Sequence, residues 1–129
     1  MEIGPLVTRA VLTVRADVPL QAAATEMIER GVGSAVVVTD GRPSGILTDR
    51  EALRAVAEGV DPTTVVVGDY MVGKLTTVTP EVEVSEAARI MREKAFRHLV
   101  VVDGDGALFG VFSMRDLVVG LLQERTVSA

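Results

Sequence analysis

The chain repeats itself. Val14, Val18, Met27 and Val38 recur 64 positions later as Val78, Val82, Met91 and Val102, and Gly45 and Arg50 recur 65 positions later as Gly110 and Arg115. One residue inserted in the turn Asp103-Gly104-Asp105-Gly106 accounts for the change of offset. An offset held over about forty positions restricts the fold to two copies of one unit, because matching hydrophobic patterns must bury matching faces.

The pattern inside each copy reads as β-α-β-β-α. Val11–Val14 and Leu75–Val78 are short β-branched runs. Leu20, Ala23, Ala24, Met27 and Ile28 fall at i, i+3, i+4, i+7 and i+8, one face of a helix, and Val84, Ala87, Ala88 and Met91 repeat that face. Strands follow at Val36–Thr39 and Leu99–Asp103, then at Gly45–Leu47 and Leu108–Phe112 through turns rich in Gly, Asp and Pro. A second helix is expected at about Arg50–Glu58 and at about Arg115–Gln123. The fold class is therefore mixed α/β (α+β). The first repeat spans 7–60, a linker with a helical turn in Gly68-Asp69-Tyr70-Met71 spans 61–74, and the second repeat spans 75–125. A small sheet with helices on one face buries too little by itself. Two copies packed through their sheets, with pseudo-twofold symmetry, satisfy the pattern.

Composition narrows the function. With 48% hydrophobic and only 3% aromatic residues the core must be aliphatic, and this much apolar mass argues against disorder. A net charge of −5 argues against a phosphate-backbone partner, so no nucleic acid is expected. The absence of cysteine removes disulfide and thiolate chemistry and points to the cytoplasm. Met1–Val14 lacks the basic region, apolar run and cleavage site of a signal peptide, and no run approaches a membrane span, so no membrane is expected.

The chemistry concentrates at two strand ends. Thr48-Asp49-Arg50-Glu51 and Ser113-Met114-Arg115-Asp116 both have the form hydroxyl-x-x-acid before an apolar helix. This is a capping-box pattern, worth roughly 1 kcal/mol, and it accounts for the hydroxyls and acids. It does not require an arginine in both copies. The same geometry suits a ligand. Free N–H groups and the dipole at a helix start favour phosphate, an arginine one turn in adds charge-assisted hydrogen bonds, and a carboxylate beside it can accept from two ribose hydroxyls.

These strings, Gly-Ile-Leu-Thr-Asp-Arg-Glu at 45–51, Arg97–Leu117, and Val-Gly-Asp-Tyr-Met at 67–71, resemble a tandem pair of cystathionine-β-synthase (CBS) domains, a Bateman module, over nearly the whole chain from about residue 7 to about residue 125. The resemblance implies a non-enzymatic regulatory module that binds an adenosine-containing ligand (AMP, ADP, ATP or S-adenosylmethionine) in the cleft between the repeats. No cofactor is required. It implies that Asp116 holds the ribose hydroxyls, with Ser113 and the helix start, Met114 and Arg115, near ribose or phosphate. Thr79 would contact the adenosine end, and Arg97 and His98 would face phosphate. The first-repeat counterparts are Thr48, Asp49, Arg50 and Glu51. That repeat departs from the pattern: Glu51 replaces aspartate, Arg15 stands where Thr79 stands, and Gly33 and Ser34 replace Arg97 and His98. Val100 occupies a position where the family usually has proline.

Other candidates are weaker. A Ser113–His98–Asp116 triad lacks the nucleophile elbow. Asp103–Gly106 lacks the later carboxylates and closing glutamate of a calcium loop and is a hairpin turn, so no metal is expected. Met27 and Met91 are core. Leu117, Val118, Leu121 and Leu122, with Ala52, Leu53, Val56 and Ala57 in the first copy, form apolar helix faces. Half of that surface suits the module and the rest a homodimer. The expected role is a nucleotide-binding regulator acting on a separate effector protein; a ligand-free dimerisation or protein-interaction module is the alternative.

Overall fold

The computed structural model describes residues 1–128, with side chains through Arg125. In chain order it contains a 3₁₀ turn (Gly4–Leu6), β1 (Thr13–Val14), α1 (Leu20–Arg30), β2 (Ser34–Thr39), β3 (Arg42–Thr48), α2 (Asp49–Glu58) and α3 (Val67–Tyr70). Then follow β4 (Thr77–Val78), α4 (Val84–Lys94), β5 (His98–Val102), β6 (Leu108–Ser113) and α5 (Met114–Ser128). The β-α-β-β-α unit occurs twice, as the offset requires.

Each copy has a three-stranded sheet, in the orders β1-β2-β3 and β4-β5-β6. The first pair of strands is parallel and the second antiparallel in both copies. The parallel pair needs the long crossover that α1 and α4 provide, whereas β2–β3 and β5–β6 close through tight turns. Alternation sorts the side chains. In the first copy Ala35, Val37 and Leu47 pack with Leu20, Ala23 and Met27 of α1. In the second, Leu99, Val101 and Phe112 pack with Val84, Ala87 and Met91 of α4. The paired methionines are core in both. The opposite sheet faces carry Val36 and Ile46, and Val100 and Val111, also buried. Strands buried on both faces read as continuous β-branched runs rather than strict alternation.

Packing divides the chain into two units that do not follow the order of the sequence. One comprises Val11–Leu75; the other joins Met1–Ala10 to the chain from Thr76 onward. In the first unit, α3 packs on α1 and α2, elements that precede it. The segment Val65–Val72 supplies that unit's missing partners. The Leu20 amide donates to the Val65 carbonyl at 2.9 Å, those of Val67 and Gly68 donate to Val18 and Ala16 at 2.9 and 2.8 Å, and Ile46 and Val72 exchange both backbone bonds. In the second unit Met1–Thr8 does the same. The Val84 amide donates to the Met1 carbonyl at 2.8 Å, those of Ile3 and Gly4 to Val82 and Pro80 at 2.9 Å each, and Thr8 and Val111 exchange bonds of 3.0 Å. The 64-residue register thus extends back to residue 1. Only glycine (Gly4 and Gly68) is shared along these eight positions, so the repeat is not visible there in sequence.

No helix among the described residues is long and apolar enough to cross a membrane.

Candidate strand-end ligand site

The second repeat gathers most of its candidate residues at one corner. Ser113 ends β6 and α5 begins at the next residue. The Ser113 amide donates to Asp116 Oδ2 at 2.9 Å, and the Asp116 amide donates to Ser113 Oγ at 3.2 Å. Both arms of the capping box are therefore made. The Met114 amide, the first of the helix, donates to the Arg97 carbonyl at 2.8 Å. His98 lies directly opposite Ser113 in the β5–β6 ladder. The register thus brings Arg97, His98, Ser113 and Asp116 to one strand end, with Met114 and Arg115 exposed on the first turn of α5.

Thr79 is not part of that cluster within its repeat. Val78 lies opposite Val101 in the parallel pair, and Val101 is three residues, roughly 10 Å of strand, from His98. Thr79 follows at the other end of the sheet and is exposed.

Two residues that the sequence did not single out join β6 from the N-terminal segment, and the first of them reaches this corner. Thr8 Oγ1 donates to both carboxylate oxygens of Asp116, at 3.4 Å to Oδ1 and 3.2 Å to Oδ2. Arg9 donates through Nε to the Phe109 carbonyl at 2.6 Å, and its guanidinium lies 3.6 Å from the centroid of the Phe109 ring. The sequence carried one sign of their arrival. Gly110 interrupts a strand of bulky residues, which marks a close backbone approach. A Cβ there would meet the Thr8 carbonyl oxygen at 2.4 Å.

The first repeat builds the same corner differently. The Asp49 amide donates to the Gly33 carbonyl at 3.1 Å, and Ser34 lies opposite Thr48. The Thr48 amide donates to Glu51 Oε2 at 3.1 Å, and the Thr48 hydroxyl donates to the same oxygen. Glu51 is 8% exposed, so its carboxylate is turned inward onto its own cap. Asp49 and Arg50 are exposed. Arg15 is paired with Asp17 at 2.5 Å. No basic side chain stands at 33–34, and Val72 takes the place of Thr8. Both acids reach back to the cap amide of their box, but Glu51 is buried where Asp116 stays partly exposed.

Chemically, the second-repeat corner brings together a partly exposed carboxylate, a hydroxyl, a helix start, an arginine and a histidine. Such a set is suited to a molecule with vicinal hydroxyls and negative charge.

Residues 3–58 and 67–122 each match the family described as CBS domain. A solved structure of a CBS domain protein from Pyrobaculum aerophilum, complexed with AMP, is 31% identical and superposes with a TM-score of 0.87, covering 98% of this chain and 99% of that one. A protein with CBS domains from Burkholderia ambifaria is 28% identical with a TM-score of 0.89, covering 95% of both chains. A protein of Methanopyrus kandleri is 33% identical over 120 residues, which is 92% of this chain but 61% of the length of that relative.

Proposed function

The chain belongs to the CBS domain family, and on that premise we propose that it is a regulatory, non-catalytic module that binds an adenosine-containing nucleotide at the second-repeat strand end. Asp116 accepts from the ribose hydroxyls, Ser113 and the start of α5 lie toward ribose or phosphate, and Arg97 and His98 supply the basic side. The carrying observation is the partly exposed Asp116 carboxylate, set by a reciprocal cap beside His98 at the start of β5 and Arg97 just before it. The AMP complex of the Pyrobaculum relative supports the ligand class. The burial of Glu51, where Asp116 is partly exposed, supports one nucleotide per chain rather than two. The signal passes to a separate effector protein in the cytoplasm, through a change of shape or association.

Calorimetry with AMP, ADP, ATP and S-adenosylmethionine tests this on the parent chain, Asp116→Asn and Glu51→Gln. The asparagine keeps the size and the cap acceptor but loses the charge. Charge-assisted hydrogen bonds are worth about 1.5–3 kcal/mol each, so Asp116→Asn weakens binding roughly tenfold to a hundredfold while Glu51→Gln leaves affinity and stoichiometry near those of the parent. Equal affinity in Asp116→Asn would reduce the motif to a helix cap. A second reading, a ligand-free assembly module, draws on the exposed Leu53 and Val56 of α2; it predicts no binding of any of the four ligands.

A further inference from the structure

We propose that Thr8 sets the affinity of the second-repeat site by occupying the carboxylate fork of Asp116 that a ribose diol must take, an inference that rests on the nucleotide reading of that corner. A carboxylate has two oxygens and about four lone-pair positions. Oδ2 accepts from the Ser113 amide at 2.9 Å and from Thr8 at 3.2 Å; Oδ1 accepts from Thr8 at 3.4 Å. The Thr8 hydroxyl therefore lies between the two oxygens, where a vicinal diol would place its pair of donors. Its bonds are long beside the 2.5–2.7 Å usual for a hydroxyl on a carboxylate, so the hydroxyl is displaceable. Asp116 does not need it for orientation, since the Ser113 amide already holds the carboxylate.

The hydroxyl cannot leave by moving the chain. Thr8 exchanges both backbone bonds with Val111 at 3.0 Å, and its carbonyl sits against Gly110 where no Cβ would fit. Rotation about χ1 turns the donor away from the fork. The first repeat carries a partial control in its own sequence: Val72, at the position matching Thr8, makes the same paired backbone bonds with Ile46 and offers no hydroxyl to Glu51. The strap is thus held by its backbone without the hydroxyl; valine removes the donor but keeps a methyl group in its volume, whereas Thr8→Ala removes both.

The test is calorimetry of AMP and 2′-deoxy-AMP on the parent, Thr8→Ala and Thr8→Ser, each verified by thermal melting, with Thr8→Val as the alternative if the alanine variant fails to fold. Freed of a competing hydrogen bond, Thr8→Ala binds AMP about twofold to tenfold more tightly. The gain is smaller for 2′-deoxy-AMP, because one hydroxyl leaves room for Thr8 to stay. Thr8→Ser, which keeps the donor, stays within about twofold of the parent. AMP binding that is unchanged or weaker in Thr8→Ala, or a gain equal for both nucleotides, overturns this inference and leaves the nucleotide reading standing. No AMP binding to any of the variants overturns both.

Discussion

Ala95 closes α4 in the left-handed region, at φ 55°, where its counterpart Gly31 closes α1 at φ 64°. Both amides cap their helices by donating to carbonyls of the last turn. Glycine adopts this conformation freely, whereas a residue with a Cβ meets strain of about 1–2 kcal/mol. Part of that is offset because glycine also loosens the unfolded chain, by about 0.4–1 kcal/mol. Ala95→Gly is therefore expected to stabilise the protein by about 0.5–1 kcal/mol, read as a higher thermal midpoint. An unchanged or lower midpoint would mean that the Ala95 side chain makes a compensating contact.

At the scale of elements, α2 and α5 divide their apolar residues between inside and outside. Ala55 and Leu117 are buried, while Leu53 and Val56 are 68% and 75% exposed and Val118 and Leu121 are about half exposed. A helix that faces water on its outer side normally carries polar residues there, and exposed apolar stripes mark association surfaces. The chain is expected to form a homodimer through these faces. Burying a leucine contributes about 1.5–3 kcal/mol, so Leu53→Glu should weaken association roughly tenfold to a hundredfold. Light scattering across micromolar concentrations reads both, and a monomeric mass for the parent chain would remove the homodimer.

At the scale of the molecule, each repeat is completed by eight residues that lie outside its own β-α-β-β-α run: Val65–Val72 for the first, Met1–Thr8 for the second. Ile3 is fully buried in the second core although it precedes the first repeat. The strap depends on Gly110. A Cβ there would meet the Thr8 carbonyl oxygen at 2.4 Å and Val7 Cγ1 at 2.5 Å, whereas at Gly45 the nearest atom is the Sδ of the flexible Met71, at 2.6 Å, with the Val72 carbonyl oxygen at 3.0 Å. Overpacking of this kind costs about 1–3 kcal/mol where the neighbour is backbone. Gly110→Ala is expected to destabilise more than Gly45→Ala and to raise hydrogen exchange at Ile3–Thr8 and along β6. Equal losses in the two variants would show that the straps are held elsewhere.

The sequence by itself determined two copies of one aliphatic β-α-β-β-α unit, because helical and strand periods are local and each copy repeats them at nearly constant offset. It also carried the capping boxes, since the hydroxyl and the acid that make each box lie three residues apart in the chain. What joins the boxes to a site was only partly legible. Arg97 and His98 reach Ser113 through the β5–β6 register, which the hairpin already implied. Thr79 could not be located the same way, because its neighbours depend on a parallel pairing across a helix. Thr8 itself was not legible, although Gly110 marked that some backbone comes close there. It meets Asp116 across 108 residues, through a strap that shares one glycine with its counterpart and is held mainly by backbone bonds. Such bonds are indifferent to side-chain identity, so they leave no pattern to read. Both acids fold onto their own caps; that Asp116 stays partly exposed while Glu51 is buried was likewise a tertiary outcome. One methylene and the burial around it decide which lone pairs remain for a ligand.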